Sequence, residues 1–157
     1  MYRIRLNKPV RATIMKIFYK TRATSVGGRD GHVSLDDGSF GLDLVSFKNE
    51  SGKTGANPEQ LFAMGYAACF DNALLHIIQQ QKLEGVSTRT SCAVGIGQNA
   101  QGGFALDIDL DVEVRGMDKN SAIELVKKGH QVCPYSNATR DNIDVRLHVS
   151  VVDTFDI

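Results

Sequence analysis

Residues 104–114 alternate with a period of two, placing Phe104, Leu106, Ile108, Leu110, Val112 and Val114 against Asp107, Asp109, Asp111 and Glu113. Successive side chains of a strand point to opposite faces, so one face of this segment must be buried and the other wetted. Thr88, Thr90, Cys92, Val94 and Ile96 alternate in the same way, and residues 98–103 read as the turn of a hairpin joining the two. Ile143, Val145, Leu147, Val149 and Val151 form another alternating strand.

Two helices accompany these strands. Asn57-Pro58-Glu59-Gln60 is a start signal: a capping Asn, Pro at the first helical position and Gln three residues after the cap. Leu61, Phe62, Gly65, Ala68, Cys69, Ala73, Leu75, Ile77 and Ile78 carry this helix to about Gln81, before Gly85. Its apolar positions occupy more than one stripe, which predicts a helix covered on most sides. A second helix starts near Asp118, carries Ala122, Ile123, Leu125 and Val126, and stops around Cys133, because Pro134 disfavours helical geometry at the residue before it. Upstream, residues 13–26 read as a strand that ends in the turn cluster Gly27-Gly28-Arg29-Asp30-Gly31. Short strands follow around residues 32–35 and 40–47, and residues 48–57 form a loop. The order βββαββαβ predicts an α+β fold, an antiparallel sheet with two helices, rather than a nucleotide-binding βαβ array.

Composition excludes several function classes. The 157 residues are enough for one domain, read as residues 13–157 behind a basic tail at residues 1–12. Eighteen basic residues cancel 18 acidic ones, which argues against a nucleic-acid binder. No uninterrupted apolar run approaches the roughly 18 residues that cross a bilayer, so no membrane partner is expected. Arg3, Arg5, Lys8, Arg11, Lys16, Lys20 and Arg22 precede any acid. We read this start as a basic tail or an appended remnant in preference to a transit peptide. Without a secretory apolar stretch the expected location is the cytoplasm. There, three cysteines point to chemistry, metal binding or core filling rather than a structural disulfide.

Cys92 sits on the apolar face of its strand and reads as a small core residue. Cys69 lies mid-helix among Gly65, Ala67 and Ala68, and Cys133 lies at a helix end. Three readings stay open from the residues alone. Cys69, Cys133 and His130 could bind zinc, since His130 and Cys133 have the spacing of one helix face, although no CxxC pair is present. Cys69 and Cys133 could be a peroxidase pair, in which one thiolate becomes a sulfenic acid and the other resolves it to a disulfide. The same thiols could serve a redox sensor, or be inert packing.

Longer blocks carry a resemblance. Gly27-Gly28-Arg29-Asp30-Gly31, Asn57-Pro58-Glu59-Gln60-Leu61-Phe62, Gly65-Tyr66-Ala67-Ala68-Cys69-Phe70 and the run from His130 through Arg140 resemble the organic hydroperoxide resistance branch of the OsmC-like family. Val94-Gly95-Ile96-Gly97 and Asn142-Ile143-Asp144-Val145 are similar as well. The match spans roughly residues 13–152. It departs at Ala56, where Thr is usual, and at Asp141, where Gly is usual.

The resemblance implies an OsmC-like fold in an intertwined homodimer with active sites at the subunit interface. It implies a cofactor-free, metal-free thiol peroxidase that reduces organic hydroperoxides, including fatty-acid ones, and is recycled by dihydrolipoyl groups. By the matching positions Cys69 is peroxidatic, Cys133 resolving, and Arg29 and Glu59 the polar pair at the thiolate. Glu59 and Cys69 lie ten positions apart on one helix, ~15 Å along its axis, so they cannot share a small site within it. Arg29 and Glu59 are therefore expected to reach Cys69 and Cys133 of a second copy.

Overall fold

The turn and capping signals punctuate the chain in the anticipated order. A computed structural model describes residues 15–155. It contains β1 (Ala23–Val26), β2 (His32–Leu35), β3 (Gly41–Asp43), α1 (Pro58–Gln80), β4 (Ser87–Gln98), β5 (Phe104–Arg115), α2 (Lys119–Val132), α3 (Pro134–Thr139) and β6 (Val145–Val151). The expected tail at residues 1–12 lies outside the described residues.

The capping box forms at the head of α1. Gln60 N–H donates to Asn57 Oδ1 and Asn57 N–H donates to Gln60 Oε1, each at 2.9 Å. Asp118 caps α2 in the same spirit, accepting from the N–H groups of Asn120 and Ser121. Cys133 is extended, as the following proline requires, so α2 ends at Val132. That same proline then opens α3, a third helix beyond the two expected, because a residue without an N–H is at no disadvantage in a first helical turn.

β4 and β5 pair antiparallel along their whole lengths, from Ser87 opposite Arg115 to Gln98 opposite Phe104. Ile108, Leu110, Val112 and Val114 are buried in the core, while Asp107, Asp109 and Glu113 on the other face meet partners from neighbouring strands. Arg146 of β6 binds Asp107 and Asp109, His148 also binds Asp109, and Arg89 of β4 pairs with Glu113. Arg146 and His148 together hold the Asp109 carboxyl well below the usual carboxylate range. Asp71 of α1 accepts from Thr88 at 2.8 Å and Thr90 at 3.0 Å, tying the helix to β4.

Three expectations need correction. The sheet is not wholly antiparallel: β6 runs parallel to β5, with Val145 opposite Ile108 and Val151 opposite Val114. The helices α2 and α3 lie between these strands and return the chain to the same end, the kind of crossover a parallel pair requires. The strands also divide into two three-stranded sheets, β1-β2-β3 and β4-β5-β6. Thirdly, the strand predicted over residues 13–26 is confined to Ala23–Val26, which pairs with β2. Residues 15–22 carry no regular structure, and residues 13 and 14 lie outside the described residues. Composition favours a strand there, but among the described residues the bond from Asp36 N–H to the Arg22 carbonyl oxygen, at 3.0 Å, does not extend into a ladder beyond Ala23.

α1 is the central packing element. Tyr66, Phe70, Ala73, Leu74, Ile77 and Ile78 are buried against β5 and α2 residues. By length and composition alone α1 could cross a membrane, with mean hydropathy 1.4, although Asp71, Asn72 and His76 interrupt any continuous apolar run. Its place in the core accounts for that apolarity. Within the chain, however, it is not covered on most sides: Met64 remains 59% exposed and Leu75 41% exposed.

Candidate active site

The Gly27–Gly31 turn presents Arg29. Gly27 adopts φ 81°, a left-handed conformation open to glycine at little steric cost. A Cβ at Gly31 would lie 1.9 Å from the Val26 carbonyl oxygen, so the turn closes too tightly for any side chain there. Asp30 fastens the turn to the following loop, accepting from Ser46 N–H at 3.0 Å and from the Asn49 amide at 2.6 Å. Arg29 meets Glu59, in the first turn of α1, through two parallel bonds: Nη1 to Oε2 at 2.7 Å and Nη2 to Oε1 at 2.6 Å. This fork-to-fork pairing fixes both groups and uses the rigid guanidinium geometry. The Arg29 hydrogen bonds hold the Glu59 carboxyl below its ordinary value, and the carboxylate in turn raises the guanidinium.

The pair stands beside two hollows. One, about 490 Å³, is lined by Arg29 and Glu59 together with Ile96, Phe104, Leu106 and Ile143. The other, about 240 Å³, lies between Glu59, Phe47, Ala63 and Val94. Neither contains a cysteine. A larger hollow of about 630 Å³ at the far end of α1, between Lys82 and Lys128, holds no thiol either.

The cysteines meet elsewhere. Cys133, wholly buried at the junction of α2 and α3, directs its thiol to Cys69 of α1 with the sulfurs 3.7 Å apart. Gly129 makes this approach possible. A Cβ there would sit 2.5 Å from Leu74 Cδ2, so a larger residue would push α2 away from α1. Burial pushes the Cys69 thiol up, and the neighbouring Cys133 adds to that, while the Tyr135 backbone N–H opposes both by donating to the Cys69 sulfur. No basic side chain contributes to the Cys69 balance, so the cation that a reactive thiolate needs is not supplied beside it by the described residues. Cys92 packs against the core, and burial, then Asp109 and Asp111, push its thiol up to about 11.

His130 does not join the sulfurs in a ligand set. Among the described residues no group of three or more His, Cys, Asp or Glu side chains could hold a metal, and the His130 Nδ1 atom is buried without a hydrogen-bond partner. Desolvation, with Arg140 nearby, lowers the pKa of His130. The zinc alternative loses its geometric basis.

The sequence reading overlooked a group of hydroxyls next to the thiols. Tyr66 Oη lies 2.9 Å from Ser136 Oγ and 3.3 Å from Thr139 Oγ1, all in the interior. Their signal was present in the sequence, since Tyr66 falls one helical turn before Cys69 and Ser136 one turn after Cys133.

Residues 50–148 match the family described as OsmC-like protein. An organic hydroperoxide resistance protein of Xanthomonas axonopodis pv. citri is 47% identical over 137 residues, covering 84% of this chain and 94% of the relative. The chain belongs to the organic hydroperoxide resistance branch of the OsmC-like family. Another member, OhrB of Bacillus subtilis, is 43% identical over 133 residues, covering 83% of this chain and 97% of OhrB. Its crystal structure superposes with a TM-score of 0.80 at 40% identity, covering 85% of this chain and all of the other. A member of the branch from Elizabethkingia anophelis, crystallised with thiocyanate, superposes with a TM-score of 0.81 at 46% identity, covering 88% of this chain and 100% of that one. The α+β architecture of this branch is thus the one built here from caps, turns and alternating strands.

Proposed function

We propose that this chain is a cytoplasmic thiol peroxidase that reduces organic hydroperoxides, fatty-acid hydroperoxides included, to alcohols. The observation that carries the reading is the 3.7 Å approach of Cys69 to Cys133 in a chain whose relatives are named for organic hydroperoxide resistance.

The Cys69 thiolate attacks the terminal oxygen of the hydroperoxide. An S–O bond forms, the O–O bond breaks, and the departing alkoxide takes up a proton to become the alcohol. The sulfenic acid left on Cys69 is attacked by the Cys133 thiolate, forming the S–S bond and releasing hydroxide, which is protonated to water. A dihydrolipoyl group then reduces the disulfide, returning both thiols and closing its own cyclic disulfide. Arg29 is the group that stabilises the thiolate and the departing alkoxide, and Glu59 holds its guanidinium in place.

Arg29 and Glu59 act in this reading on Cys69 of a second copy. Three features support it: the pair lines hollows that contain no cysteine, no basic side chain among the described residues contributes to the Cys69 balance, and α1 leaves Met64 and Leu75 uncovered. Phe47, Ala63, Val94 and Ile96 give the smaller, 240 Å³ hollow beside Glu59 a largely apolar wall, which suits bulky, greasy hydroperoxides.

The test is mass spectrometry of the reduced protein after one equivalent of cumene hydroperoxide. A Cys69–Cys133 disulfide with Cys92 still a thiol is expected, followed by recovery of both thiols on adding dihydrolipoamide. Persistence of both free thiols with the peroxide unconsumed would overturn the reading.

A further inference from the structure

Two cross-links of different chemistry join α1 to α3 and to the Cys133 residue that caps its start, three residues apart on each segment. Cys69 meets Cys133 at 3.7 Å, while Tyr66 meets Ser136 at 2.9 Å. Tyr66 precedes Cys69 by three residues and Ser136 follows Cys133 by three, so the contacts are successive rungs between α1 and the cap and first turn of α3. Thr139 extends the second rung, at 3.3 Å from Tyr66 and 3.0 Å from the Tyr135 carbonyl oxygen to which it donates. Tyr66, Ser136 and Cys133 are fully buried. A buried hydroxyl deprived of its partner carries the whole penalty of lost hydration, which makes the rung resistant to opening.

The two rungs respond differently to chemistry. A disulfide needs its sulfurs about 2.05 Å apart, so the sulfur rung must shorten by more than an ångström as it resolves. The hydroxyl rung has no redox change and keeps its length. It therefore acts as the fixed point about which the start of α3, with Cys133, can move toward Cys69.

We infer that the buried Tyr66–Ser136–Thr139 hydroxyl network positions the resolving cysteine, so that Cys133 reaches the Cys69 sulfenic acid before a second hydroperoxide does. This rests on the peroxidase reading above. The sulfenic acid has two fates. Attack by Cys133 gives the disulfide and water. Attack on a second hydroperoxide adds another oxygen to sulfur, giving sulfinic acid and a second alcohol. The first fate is intramolecular, and its rate depends on how narrowly the two sulfurs are held in register. The network sets that register without touching the reacting atoms, so Tyr66, Ser136 and Thr139 are positioning residues.

The experiment compares wild type, Tyr66→Phe and Ser136→Ala as full-length reduced proteins exposed to increasing excess of cumene hydroperoxide. Mass spectrometry reads the ratio of Cys69 sulfinic acid to Cys69–Cys133 disulfide. Tyr66→Phe keeps the ring against Phe62 and Tyr135 and removes only the hydroxyl. The ratio should rise on the order of tenfold in both variants, while the rate of the first oxidation of Cys69 changes little. Leu125→Ala, a core truncation in α2, controls for general loss of stability and should leave the ratio at the wild-type value. An unchanged ratio in the two hydroxyl variants, or an equal rise in Leu125→Ala, would overturn the inference. Wild type that forms no disulfide at all overturns the underlying peroxidase reading instead, and this is read before any variant is compared.

Discussion

Cys69 and Cys133 are 64 residues apart in sequence and place their sulfurs 3.7 Å apart, with Cys133 donating toward Cys69. No local rule brings them together. The contact exists because α2 lies close against α1 at Gly129 and because Pro134 breaks the helix just where the second thiol must face the first.

Removing either sulfur should separate the two chemical steps. Cys69→Ser is expected to abolish turnover with dihydrolipoamide. Cys133→Ser should consume about one equivalent of hydroperoxide and then stall or over-oxidise. Stopped-flow peroxide consumption followed by mass spectrometry distinguishes the two, and sustained turnover in the Cys69 variant would defeat the assignment.

Arg29→Ala should raise the Cys69 pKa and slow oxidation of Cys69 roughly tenfold at neutral pH. Ultraviolet titration of the thiolate and the second-order oxidation rate check this. Because Arg29 depresses the Glu59 carboxyl, the pair is intact above the ordinary carboxylate range and is lost as pH falls through the lowered value. Below the ordinary carboxylate range, wild-type oxidation should therefore fall more steeply than protonation of the Cys69 thiolate alone requires, an additional loss that Arg29→Ala lacks.

Cys92 has a thiol raised to about 11, chiefly by burial. An unfolded cysteine ionises first, so the associated stability is full below the ordinary cysteine value and is lost as pH rises toward about 11. In a Cys69→Ser/Cys133→Ser background, iodoacetamide should leave Cys92 unmodified near neutrality and alkylate it only at strongly alkaline pH. Rapid labelling at neutral pH would contradict this placement.

Gly129→Ala should destabilise the fold by about 1–3 kcal/mol, since the new methyl overlaps Leu74 in a close-packed interior. Leu74→Ala should cost about 2–5 kcal/mol through the cavity it leaves. The double variant should lose less than the sum, because each change relieves the other. Urea unfolding of the three variants measures the coupling.

Asp141 adopts φ 62°, the left-handed conformation that its usual family counterpart, glycine, takes without strain. The turn after the second cysteine thus carries a left-handed residue with one of the few side chains that tolerate that conformation. Asp141→Gly should stabilise by under ~1 kcal/mol and Asp141→Val should destabilise by ~1–2 kcal/mol, both read from thermal unfolding.

Much of this protein is local physics and was legible before any coordinates. The Asn57 cap, the extended residue before Pro134, the hairpin of β4 and β5 and the buried face of β5 each depend on residues adjacent in sequence or on a simple period. Family motifs singled out the two cysteines, Arg29 and Glu59. Tertiary structure decided what depends on distant partners. The parallel pairing of β6 follows from the path through α2 and α3, and residues 15–22 carry no strand because the ladder with β2 begins only at Ala23. The Tyr66–Ser136 rung likewise joins groups that are 70 residues apart. Caps and periodicities are fixed by short-range sterics and hydrogen bonds, whereas strand direction and cross-helix contacts depend on which distant surfaces close-packing brings together.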